Sequence, residues 1–208
     1  MNGFMSNLVN IVHPYSYKCN VIDGKLNLVC GFIEEFKERD KKVVNFVKTA
    51  LDSGVRILRH EFHPKGTLDY IIQHGTIPLC PIYGDILFDE KIIEVITLYN
   101  GNPRSNKKPE EMDDGKWEEF SELFVSDSKL KELMKNPQRT FYIGGFFEAC
   151  VKNMAYHQIK NYTPEGEIFC VEELCASTND DKTQEVRDGL KDDGIKVIGY
   201  EEAMELLQ

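Results

Sequence analysis

Short apolar runs alternate with helix-patterned stretches along the whole chain, and that alternation leaves few folds open. "KCNVID" (Lys18–Asp23) reads as a first buried strand, "VRILRHEF" (Val55–Phe62) as a second and "IIEVITLY" (Ile92–Tyr99) as a third. "TFYIGG" (Thr140–Gly145), "EIFCVEE" (Glu167–Glu173) and "IKVIGY" (Ile195–Tyr200) complete a set of six. Between the first two lies "FIEEFKERDKKVVNFVKTALDSG", an amphipathic helix that Gly54 ends. Strands that feed helices directly imply a parallel sheet covered on both faces. The expected architecture is therefore a single α/β domain over residues 1–208, three layers deep, with a six-stranded, mainly parallel sheet. The stretch from Asn100 to Glu119 has no periodic apolar pattern and reads as a long loop, either a lid or an interface element.

At 208 residues the chain can bury one substantial core. A net charge of -10 with no long basic stripe argues against a nucleic-acid partner, because phosphate binding needs clustered cations. No segment approaches the run of about 18 apolar residues that a membrane span needs. The start, "MNGFMSNLVNIVHPYS", lacks the basic and apolar regions of a secretory signal. Cysteines 19, 30, 80, 150, 170 and 175 are scattered, with no C-x-x-C pair, which suits reduced thiols in the cytoplasm.

In parallel sheets ligands gather beyond the carboxyl ends of the strands. That rule selects Asp23, His60 to His63, Tyr99 to Gly101 and Gly144 to Cys150. Cys150, in "TFYIGGFFEACVKNMAYH", falls where a strand turns through two glycines into a helix. There the helix dipole and free backbone N–H groups favour a thiolate. A carboxylate such as Asp23 can take the thiol proton, and the N–H groups of Ala149 and Cys150 can hold a developing oxyanion. Taken singly, Asp23 is also a turn-former beside Gly24, and Cys150 a buried hydrophobe.

These motifs together resemble the isochorismatase-like cysteine hydrolases, the superfamily that includes the nicotinamidases. Asp23 and Gly31 are similar to its D-x-Q motif and following glycine, with Lys25 where Gln is usual and Leu28 where Phe is usual. "EFHP" (Glu61–Pro64) resembles D-x-H-P, "GGFFEACV" (Gly144–Val151) resembles G-x-A-T-D-x-C-V, and "VEELCAS" (Val171–Ser177) resembles V-x-D-A-C-A-S. The resemblance implies a hydrolase of a small amide-like, nicotinamide-type substrate, with Cys150 as nucleophile and Asp23 as base. Homo-oligomers are frequent in the family.

Several positions depart from the family pattern. Asn100 stands where the catalytic lysine is usual, and Lys25 and Lys116 are the candidate substitute cations. Lys25 follows Asp23 by two residues, so an extended chain would point both side chains the same way. Glu61 and His63 supply the first two ligands of the divalent, zinc-like ion the resemblance implies, but Leu79 precedes Cys80 where a third ligand, histidine, is usual. Phe146 and Phe147 replace small residues and would, with Leu28 and Phe62, line or narrow the pocket. These departures leave open a second reading, a catalytically silent family member that serves as a binding or assembly module. A third reading, a redox-sensing thiol protein, rests on the cysteine count alone.

Overall fold

The computed structural model describes residues 7–12, 17–22, 25–30, 36–62, 86, 89–97, 127–162, 165–177 and 180–208. Its frame is a six-stranded parallel sheet. The strands are β1 (Leu8–Val12), β4 (Arg56–Phe62), β5 (Ile92–Thr97), β6 (Arg139–Phe146), β7 (Glu167–Ala176) and β8 (Lys196–Ile198). Across the sheet they run in the order β5-β4-β1-β6-β7-β8.

Five of these are the strands expected from the apolar runs; the first is not. Lys18–Asp23 was expected to open the parallel sheet, but Tyr17–Ile22 (β2) pairs antiparallel with Lys25–Cys30 (β3) in a sheet of two strands. The register closes at Ile22↔Lys25, leaving two residues for the connection. Those two are Asp-Gly, a dipeptide whose sequence preference is for two-residue hairpin connections. The central strand is instead "LVNIV" of β1, buried along its whole length. Its apolar side chains divide between both faces, as a strand covered by helices on each side requires.

Helices α1 (Lys37–Asp52) and α5 (Tyr200–Leu207) pack on one face, where Phe46, Val47, Ala203 and Leu207 join Val9, Ile11 and Phe141. Helices α2 (Asp127–Leu133), α3 (Lys152–Tyr162) and α4 (Asp180–Asp192) send Leu130, Met154, Ala155 and Leu190 to the other, against Leu8, Val12 and Tyr142. Helix α1 stops at Gly54 (φ 68°), where Val55 N–H closes back on the Ala50 carbonyl at 2.9 Å. No helix among the described residues is long and apolar enough to cross a membrane.

One buried polar chain ties α3 to the sheet. The Tyr142 hydroxyl donates to Gln158 Oε1 at 2.7 Å, and Gln158 Nε2 donates to Thr140 Oγ1 at 3.1 Å. Burial pushes the Tyr142 hydroxyl well above its ordinary pKa. Tyr142→Phe would strand Gln158 Oε1 without its donor in a dry core. A loss of about 1–2 kcal/mol is expected in urea unfolding, and a change within error would show that the bond contributes nothing net.

Candidate active site

Strand order places the site. From β1 the chain leaves towards β4 and β5 on one side, then returns to lay β6, β7 and β8 on the other. The switch point therefore falls between β1 and β6, and the crevice beyond their carboxyl ends is where such sheets bind ligands. The two strands run in register from Leu8↔Thr140 to Val12↔Gly144, with His60 of β4 opposite Val12 on its other side.

Gly144 makes this seam close. Its φ is 108°, and a Cβ built on it would lie 2.7 Å from the Val12 carbonyl oxygen. The register of β6 with β7 also shifts at Gly144, so the strand end is bent away from a regular ladder. Beyond Phe146 the chain does not enter an α-helix directly. It makes a π-helical turn, Phe147–Val151, that runs without a break into α3. Wide turns of this kind occur frequently at functional sites. Cys150 sits inside it, 5% exposed, with its thiol donating to the Phe146 carbonyl at 3.6 Å.

The expected oxyanion amides, Ala149 and Cys150, lie within this turn. Ala149 is exposed and Cys150 buried. Phe147 is 0% exposed and Phe146 7%, both within the core cluster that holds Cys150, Val151 and Met154. The rings therefore anchor the turn to the core.

The remaining expected positions are spread differently. Asp23 lies outside the described residues; the strand before it, Tyr17–Ile22, belongs to the hairpin and not to the parallel sheet. Lys25 and Leu28 lie in β3, Glu61 and Phe62 close β4, and His63, Asn100 and Lys116 lie outside the described residues. Among the described residues no three His, Cys, Asp or Glu side chains gather as a metal site, and His63, the second expected ligand, lies outside them.

Three polar features of this end of the sheet escape a linear reading. Arg39, at the start of α1, is 8% exposed and donates from Nη1 to the Gly144 carbonyl at 3.2 Å. Its Nε donates to Asp40 Oδ1 at 2.8 Å, and Asp40 is 1% exposed. Asn10 and His60, both fully buried, meet at 2.8 Å between Asn10 Oδ1 and His60 Nε2. Glu148 accepts hydrogen bonds from Ser177 and Thr183. Arg39 and Asp40 stand in the charge-rich run "EEFKERDKK", and only their spacing ahead of Val43, Phe46 and Val47 on one helix face signalled their burial. The thiols of Cys170 and Cys175, near the same turn in the core, are pushed up by burial.

No protein-family model and no curated protein sequence matches the chain. Solved structures do. An isochorismatase family protein from Desulfovibrio vulgaris superposes with a TM-score of 0.60 over 98% of each chain at 9% identity. The fold is the isochorismatase-like one. Pyrazinamidase of Pyrococcus horikoshii, solved in complex with zinc, shares the isochorismatase-like fold with a TM-score of 0.57 at 13% identity, covering 93% of this chain and 99% of its own. MAR1 ribonuclease from Caenorhabditis elegans matches with a TM-score of 0.56 at 10% identity, over 98% of this chain and 82% of its own. One fold thus carries proteins described by different activities.

Proposed function

We propose that this chain is a divergent isochorismatase-like cysteine hydrolase acting on a small amide-like substrate. The observation that carries the reading is the place of Cys150: a thiol in a wide helical turn immediately beyond β6, at the switch point of the sheet. In the proposed reaction the thiolate sulfur bonds to the carbonyl carbon, and the N–H groups of Ala149 and Cys150 receive the oxyanion. The C–N bond then breaks, and the nitrogen leaves as ammonia with the proton taken from the thiol. Water hydrolyses the thioester and returns the thiol. By the resemblance Asp23 is the proposed base.

The net charge of -10 supports a neutral amide over a phosphodiester, since a polyanionic substrate would be repelled. The second reading, a silent binding module, is favoured by the burial of Cys150 and by the hydrogen bond that occupies its thiol. The pH dependence of iodoacetamide alkylation, read peptide by peptide, separates the two. A nucleophile is expected to react at least about tenfold faster than Cys170, with a midpoint below the free-thiol value of about 8.5. Cys170 is the internal control, because burial keeps its thiol protonated. Equal rates at the two cysteines would hand the protein to the second reading. In the same titration an unchanged midpoint in Asp23→Asn would remove Asp23 as the base.

A further inference from the structure

Glu148 stands two residues before Cys150 and is not used by the chemistry above. Its carboxylate oxygen Oε1 accepts from Ser177 Oγ at 2.5 Å and from Thr183 Oγ1 at 2.5 Å. The two hydroxyl oxygens face each other at 3.0 Å. Each hydroxyl has one hydrogen, so with both hydrogens on Glu148 neither is left to bridge that gap. The carboxylate is what organises the group. Ser177 directly follows β7, and Thr183, 4% exposed, lies in the first turn of α4. One oxygen therefore joins three parts of the fold: the Cys150 turn, the end of β7 and the start of α4. Bonds to a charged acceptor are roughly twice as strong as neutral ones, and a negative charge near a helix start is favourable.

We propose that Glu148 is a positioning residue, holding the Phe147–Val151 turn through Ser177 and Thr183 so that Cys150 keeps its orientation over the switch point. The proposal rests on the reading of Cys150 as nucleophile. Residues two apart on a helical turn face different ways, so Glu148 acts on the thiol through the backbone and not by contact. The neighbouring residues are consistent with such a hold: Phe146 and Phe147 fix the core side of the turn, and Glu148 fixes the side towards α4.

The experiment uses the full chain as wild type, Glu148→Gln and the double variant Ser177→Ala/Thr183→Val. Cys150 alkylation is titrated against pH, and amide hydrogen exchange is followed across Phe147–Val151. Either variant is expected to speed exchange in the turn about tenfold and to raise the alkylation midpoint by about one pH unit, towards the free thiol. Combining all three changes is expected to add nothing, as for groups acting as one unit. A charge effect alone predicts the opposite sign, because removing a carboxylate near a thiolate lowers the midpoint and the hydroxyl variant would leave it unmoved. That pattern overturns the proposal. So does unchanged exchange, and so does faster exchange with an unmoved midpoint, which would leave Glu148 a stabilising contact only. If wild-type Cys150 reacts no faster than Cys170, the nucleophile reading itself has failed and the positioning role falls with it.

Discussion

Gly144→Ala is expected to destabilise the chain by about 3 kcal/mol or more. Two costs combine at this one position. The backbone conformation at φ 108° is closed to L side chains and costs about 1–3 kcal/mol. The new methyl would also sit 2.7 Å from the Val12 carbonyl oxygen and 3.2 Å from its nitrogen. Both atoms are backbone of the central strand, so no rotamer change relieves the contact. Relief requires β1 and β6 to separate at this seam. Gly54→Ala is the control, since Gly54 has φ 68° but open space around a Cβ, and it should cost only about 1 kcal/mol. Urea unfolding of both variants decides the matter. In a chain of this length each kcal/mol moves Tm by about 2–4 °C, so Gly144→Ala should melt some 6–12 °C lower. A Gly144→Ala variant no weaker than Gly54→Ala would mean that β1 and β6 are not in close register there.

Arg39→Met is the second large effect, with an expected loss of about 3 kcal/mol. The guanidinium and Asp40 have side-chain exposures of 7% and 1%, so neither charge is relieved by solvent. Truncating one partner of a buried pair costs about 3–5 kcal/mol, because the other charge stays in a low-dielectric site. Arg39 also caps the Gly144 carbonyl and lies over the Phe36 ring at 4.7 Å, and methionine replaces neither contact. The surface pair Lys41–Glu38, with exposures of 54% and 77%, gives the scale for comparison. Its removal should cost between 0 and about 1 kcal/mol. In the double variant Arg39→Met/Asp40→Leu most of the loss should return, since two apolar side chains can replace a buried pair at little cost. If the double variant is as weak as the single, the energy lies in the Gly144 and Phe36 contacts and not in the charge pair.

Much of this architecture is legible without coordinates. Five strands and α1 follow from runs of β-branched and apolar residues and from a 3.6-residue period, because burial on two faces or on one stripe leaves that mark locally. The position of Cys150 at the end of β6 follows in the same way, from an apolar strand running into two glycines and then a helical pattern. The hairpin was legible too, in the Asp-Gly step of "NVIDGKLN", but its apolar residues imitate a buried strand. "LVNIV" carries an asparagine at its middle, which masks a run that is otherwise wholly apolar. That asparagine is satisfied in part by His60, 50 residues away, and nothing near it in the chain announces the partner.

The layer order of the fold and the strand-to-helix step that carries the thiol follow from patterns within a few residues, so amino-acid order suffices for both. Which strand occupies the centre, and the wide turn at Phe147–Val151, emerge only on folding, because pairing depends on which surfaces meet and not on how apolar each run is. The same holds for the polar framework of the site. Arg39 reaches Gly144 across 105 residues, and Glu148 reaches Ser177 and Thr183 across 29 and 35. Buried charges and carboxylates are tolerated only where distant groups converge to satisfy them, and that convergence is a property of the folded chain alone.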